Sequence, residues 1–262
     1  GRSADISVGW EIATDAAFTD LVHSGTATTG AARDYTLKVD AQNLLPGTTY
    51  YYRFKAADVI SPVGRMKTLP AGSIDQVRFA VMSCSNYPAG YFHVYAAAAA
   101  ESELDAVIHL GDYIYEYGNG GYATEDAAAL GRLLPDNNAG EILTLTDYRR
   151  RYALYRTDTD LQSLHAAAPF IAVWDDHEVA NDTWRDGAEN HNEGEGDFTA
   201  RKLAALQAYF EWMPVRPASA NDEETIYRRF DFGDLVSLHM LDTRIIGRDE
   251  QLDYANYIGG GG

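Results

Sequence analysis

Two hydrophobic periodicities divide the chain. Up to about residue 70, apolar positions alternate with polar ones: Ile6, Val8 and Trp10, then Tyr35, Leu37 and Val39, then Tyr50, Tyr52 and Phe54. A period of two marks strands with one buried face. Leu45-Pro46-Gly47-Thr48-Thr49-Tyr50-Tyr51-Tyr52 joins a Pro-Gly turn to an aromatic strand. Short strands separated by turns predict a small β-sandwich over residues 1–70. Leu69-Pro70-Ala71-Gly72-Ser73 opens a linker, taken as residues 71–77. From 78 to 262 apolar runs alternate with longer helical stretches. Strands are predicted over 77–82, 106–110, 170–174 and 235–241. Helices are predicted over 91–104, 147–164 and 199–212, with Thr199 as a cap. That alternation predicts an α/β domain of layered sheets and helices.

Each predicted strand of the second region runs straight into polar residues. The first ends in Ser83-Cys84-Ser85-Asn86, the second in Gly111-Asp112-Tyr113-Ile114-Tyr115-Glu116, the third in Asp175-Asp176-His177-Glu178, and the fourth in Asp242-Thr243-Arg244. Ligands of open α/β sheets bind beyond the carboxyl ends of the strands. Strands lying side by side would bring all four ends to one place.

The densest of these ends is Trp174-Asp175-Asp176-His177-Glu178-Val179-Ala180-Asn181. Three carboxylates, an imidazole and a carboxamide this close repel one another unless a cation sits among them. Taken singly, Asp112 after Gly111 equally fits a turn cap. A free cysteine is usually a small buried hydrophobe, but the place of Cys84 between polar residues at a strand end points to a thiolate ligand or nucleophile instead. No glycine-rich anion cradle follows Cys84, which weakens a cysteine-nucleophile reading. His93, His109 and His165 read as structural, and His23 and His191 as loop residues. The glycine-rich stretches 118–121 and 187–196 read as mobile loops bordering a site.

Composition narrows the field. A formal net charge of −18 opposes stable binding to a phosphate backbone. It suits a secreted or halotolerant protein, or one carrying cations on its acids. One cysteine excludes a disulfide framework. No apolar run is long enough to span a bilayer, and no targeting segment is visible at Gly1. Gly259 to Gly262 reads as a linker or a cut. Nothing in the pattern fixes an oligomeric state.

Ser83-Cys84-Ser85, the run from His109 to Tyr117, the block from Trp174 to Asn181, and Leu241-Asp242-Thr243-Arg244 together resemble the alkaline phosphatase D (PhoD-like) metallophosphatases. The Pro-Gly-tyrosine strand is similar to that family's N-terminal module and to a fibronectin type III-like fold lacking its first strand. The resemblance covers nearly the whole chain. It implies a calcineurin-like four-layer α/β sandwich and a metal-dependent phosphoesterase acting through a metal-activated hydroxide. It implies Fe3+ held by Cys84 and Tyr115, Asp112 bridging Fe3+ and Ca2+, and Ca2+ held by Asp176 and Asn181. It places His177 near the transferred phosphoryl group and Arg244 beside the site or the phosphate, and it implies an extracytoplasmic setting. Further ligands expected beyond the Asp-Thr-Arg motif are absent here, so the catalytic domain is expected to be incomplete at its C-terminus. A phospholipase-type or cell-wall phosphodiester hydrolase on the same scaffold remains an alternative. So do a metal-free glycosidase using Asp112 and Glu178, and an acidic calcium-binding surface protein.

Overall fold

The computed structural model describes residues 4–219 and 222–252; the glycine run at 259–262 and the start at Gly1 lie outside them. The N-terminal alternation becomes one antiparallel sheet. Its strands are β1 (Ile6–Ala13), β2 (Leu21–Thr29), β3 (Thr49–Ala56), β4 (Val59–Ile60) and β5 (Gly64–Lys67). The order is β2-β1-β3, with β4 and β5 both pairing β3. The expected strand at Tyr35, Leu37 and Val39 is not a strand: this segment joins no ladder. Val39 and Ala41 instead share a pocket with Trp10, Tyr52 and Phe54 of the sheet. Their apolar alternation covers a sheet face without pairing along an edge. His23 sits within β2 and not in a loop.

The second region is built on a parallel sheet, β6 (Phe79–Met82), β7 (Ala106–His109) and β8 (Phe170–Ala172), in the order β6-β7-β8. All of β7 is buried, as expected of a central parallel strand. One face carries His109 and Phe170. Tyr95 of α1 (His93–Ala99) bonds His109, and His165 of α3 (Thr159–Ala167) stacks on Phe170 at 3.7 Å. On the other face Phe79 meets Phe232 edge-on at 4.9 Å. Phe232 belongs to a hairpin of β9 (Arg228–Phe232) and β10 (Val236–Met240). Helices, parallel sheet and hairpin therefore stack as layers. The fourth predicted strand does not lie beside the other three, as assumed from sequence; it is β10, paired antiparallel with β9 in a separate sheet.

Two helix boundaries differ from expectation for local reasons. The single helix predicted over 147–164 is two, α2 (Leu145–Tyr155) and α3. Asp158 interrupts it by accepting the N–H groups of Asp160 and Leu161, which caps a new helix start. Helix α4 (Phe198–Trp212) is capped by Asp197, which accepts from Ala200 N–H, and not by Thr199. The helix predicted over 91–104 is confined to α1.

The two regions are bolted together near the end of α4. Lys38 Nζ donates to the carbonyls of Phe210 and Val215. Arg149 of α2 forks onto Glu211 at 2.6 and 2.7 Å and also donates to Ala32 O. Trp212 Nε1 donates to Asp34.

Candidate metal centre

The ends of β6, β7 and β8 lie adjacent because the strands are parallel and in sequence order. Backbone bonds lock the first two loops: Cys84 N–H donates to Gly111 O, and Ser85 N–H to Asp112 O. Cys84 and Asp112 both hold positive φ, 61° and 54°, as does Asp182 at 51°. Non-glycine residues rarely adopt this region. Gly111, at φ 108°, is required: a Cβ there would lie 2.2 Å from Asp175 N. Behind these loops His109 sits wholly buried, and burial pushes its imidazole down to about 3. Neutral, it accepts from Gly111 N–H at Nδ1 and turns Nε2 toward the hydroxyls of Ser85 and Tyr95. The expected structural role of His109 is thus a specific one, joining the Cys84 and Asp112 loops.

Asp112 is the hub. Its Oδ2 lies 3.4 Å from Cys84 Sγ and 3.3 Å from Tyr115 Oη. Its Oδ1 is buried with no hydrogen-bond partner among the described residues. Burial pushes the Asp112 carboxyl up to about 6; the Asp176 and Asp175 carboxylates add to this, and His177 opposes it. Burial also raises the Cys84 thiol and the Tyr115 phenol, and the charge of Asp112 adds to both. Donor atoms of Asp112, Asp176 and His177 lie within 4.8 Å of one another. A buried carboxylate facing a thiol, a phenol and a second carboxylate, with one oxygen unpaired, fits a cation that would draw the protons off all of them.

His177 is set by Glu116. Its Nδ1 bonds Glu116 Oε2 at 2.7 Å, which leaves Nε2 for the site. Its ring stacks on Tyr115 at 4.2 Å. Burial disfavours the imidazolium, but the Glu116 hydrogen bond and the Glu116, Asp112 and Asp176 charges outweigh it and raise the group to about 9. Burial would likewise raise Glu116, yet the His177 bond and donors from Asn190 and Asn181 hold it below the ordinary carboxyl range. Glu116 is fully buried, and its role was not read from sequence. The available signal was a lone acid closing the aromatic run from Tyr113 to Tyr117.

The other expected site residues fall around this centre. Asp176 accepts from Asp182 N–H at 2.6 Å. Asn181 donates its N–H to Glu116 and its Nδ2 to Glu189. Arg244 reaches the site from beyond β10 despite that strand's separate sheet. It bonds Asp175 through Nε at 2.6 Å and Nη2 at 3.3 Å, and approaches Asp176 and Asp182 at 3.6 and 3.5 Å. It therefore offsets the carboxylate cluster, and Asp175 is its missed anchor. Glu178 does not face the site as a glycosidase acid must. Its carboxylate is fully buried and accepts from Tyr113 N–H and Asp175 N–H, tying the β7 and β8 ends together. The loops at 118–121 and 187–196 do border the centre, through Tyr122 and Asn190, and hydrogen bonds pin both.

A layered α/β domain with thiol, phenol, carboxylate and imidazole donors gathered at parallel strand ends is a metallophosphatase-type fold. The comparisons with known proteins agree. The PhoD-like phosphatase model matches residues 79–258, and the PhoD-like phosphatase N-terminal domain model matches residues 1–70. The chain belongs to the PhoD-like phosphatase family. Alkaline phosphatase D of Bacillus subtilis (strain 168) is 42% identical over 250 residues, which span 94% of this chain and 42% of that protein. A solved structure of PhoD matches with a TM-score of 0.85 and 40% identity, over 96% of this chain and 47% of that one. The chain thus spans less than half the length of either relative. Among the described residues no helix is long and apolar enough to cross a membrane.

Proposed function

We propose that this chain carries the centre of a metal-dependent phosphoesterase of the alkaline phosphatase D type, cleaving phosphate esters. The observation that supports it most is the convergence of Cys84 and Tyr115 on one oxygen of Asp112 while the other lies buried and unpaired among the described residues. Thiolate and phenolate suit Fe3+, so Cys84 and Tyr115 are its ligands in this reading. Asp112 would contribute to holding both cations, and Asp176 and Asn181 Oδ1 would supply the hard oxygen donors that Ca2+ prefers. Held by these residues, the cations would supply Lewis-acid charge for a phosphate ester and for a water nucleophile. His177, oriented by Glu116, presents Nε2–H to charge developing on the phosphoryl group or the leaving oxygen. Arg244, fixed by Asp175, limits repulsion among the site carboxylates and keeps Asp176 in place.

The domain division is part of the proposal: a fibronectin type III-like accessory unit over 1–70, a linker over 71–77 and the catalytic unit from 78 onward. The end of β5 and the start of β6 support it. An extracytoplasmic setting, which the family resemblance implies, is part of the proposal. Elemental analysis of the purified chain and of Cys84→Ala and Asp112→Ala, with p-nitrophenyl phosphate turnover measured in parallel, tests the reading. Iron near one per chain with calcium, lost in both variants along with turnover, is the expected result. Metal content and turnover that are unchanged in either variant would refute it.

A further inference from the structure

An aromatic side chain outside the donor set stands at the mouth of the centre. Tyr122 is 62% exposed, yet its ring stacks within 17° of Tyr115 at 6.3 Å and lies 6.0 Å from Tyr117. Tyr115 in turn stacks on His177. His177, Tyr115 and Tyr122 so form a stepped stack that runs from the buried imidazole out to solvent. Exposure of a large aromatic is unremarkable by itself. Here the backbone that carries the ring is also held in place. Asn86, two residues past Cys84, donates to Tyr122 O. Gly121 N–H closes onto Gly118 O, Gly120 N–H donates to Thr124 Oγ1, and Thr124 Oγ1 donates to Gly121 O. Asn119 ties the same turn to Leu134 through both its side-chain atoms. A rigid turn thus holds an open aromatic surface one ring away from the candidate ligand Tyr115.

We infer that Tyr122 is a specificity-determining residue that stacks a planar leaving group, so that the centre favours phosphate esters of aromatic or heteroaromatic alcohols over alkyl esters. This rests on the phosphoesterase reading. With the phosphoryl group at the donor cluster, the ester oxygen leads outward past Tyr115, and a flat substituent continues the stack onto Tyr122. Ring stacking at a partly wet surface is worth a several-fold preference, and it acts on binding more than on the chemical step.

The test compares binding of phenylphosphonate and methylphosphonate, by calorimetry, to the metal-loaded chain, to Tyr122→Ala and to Tyr122→Phe. The chain is expected to prefer the phenyl compound by about 3- to 10-fold. Tyr122→Ala should bring that ratio to about one while leaving methylphosphonate affinity unchanged, and Tyr122→Phe should restore it. In turnover, Tyr122→Ala should raise KM for phenyl phosphate with kcat retained and leave glycerol phosphate unaffected. A ratio near one in the unaltered chain, or an unchanged ratio in Tyr122→Ala, overturns the inference while methylphosphonate binding upholds the phosphoesterase reading. Failure to bind either phosphonate overturns both.

Discussion

Glu116→Gln exchanges a buried carboxylate for a carboxamide of the same shape. The carboxylate accepts from His177 Nδ1 at 2.7 Å, Asn181 N–H at 2.7 Å and Asn190 Nδ2 at 2.8 Å. The last two share Oε1, which the amide oxygen can replace. The His177 bond uses Oε2, which becomes an NH2 group. To keep that bond His177 would have to be neutral, accepting at Nδ1 and holding its proton on Nε2. The rise of His177 from 6.5 to about 9, at about 1.4 kcal/mol per pH unit, corresponds to roughly 3 kcal/mol. Asp112 and Asp176 supply part of it and survive the substitution, so a loss of about 2 kcal/mol is expected. The sign follows from linkage: a raised imidazole stabilises the fold fully below its unfolded value and ceases to do so as pH rises through the folded one. Urea unfolding in chelator should therefore show a gap of about 2 kcal/mol at pH 6 that shrinks by more than half at pH 9.5. An equal gap at both pH values, or one below about 0.5 kcal/mol at pH 6, would refute the assigned His177–Glu116 pairing.

Three further outcomes follow from the same geometry. Asp112→Asn should stabilise the chelated protein at pH 7.5 by up to about 3 kcal/mol, because a carboxyl raised to about 6 costs stability above that pH and nothing below its ordinary value. The gain should vanish at pH 4 in the same unfolding assay, and added metal should no longer raise the melting temperature. Gly111→Ala should cost about 3 kcal/mol or more, from the positive φ and the close approach to Asp175 N, and should release metal on dialysis. Lys38→Met should lose about 2 kcal/mol by stripping the donor from the carbonyls of Phe210, in the last turn of α4, and Val215 beyond it, seen as a fall of roughly 4–8 °C in thermal unfolding.

The sequence was legible where chemistry followed local pattern. Apolar runs marked β6, β7 and β8, and the polar residues directly after them became the centre, because parallel strands in sequence order put their ends together. Cys84, Asp112, Asp176 and His177 do come together there, as their places just after the strands predicted. Tyr35 to Val39 misled because an apolar alternation can cover a sheet as well as join one. Asp158 and Asp197 were missed as caps because a helix start depends on one side-chain oxygen reaching two or three residues ahead. The pairings of Glu116 and Asp175 were invisible for a different reason: their partners His177 and Arg244 lie 61 and 69 residues away. Only the folded chain makes those pairs.

Cys84, Asp112 and Asp182 each occupy backbone geometry that glycine adopts freely and an L-residue adopts at a cost of roughly 1 kcal/mol. Laboratory evolution for heat tolerance alone will therefore drift toward glycine at these three positions, and selection for turnover will drive it back out at the two proposed ligands. A more durable descendant of this chain has to draw its gains from elsewhere, such as the N-terminal sheet or the helix caps, where folding and chemistry do not compete for the same residue.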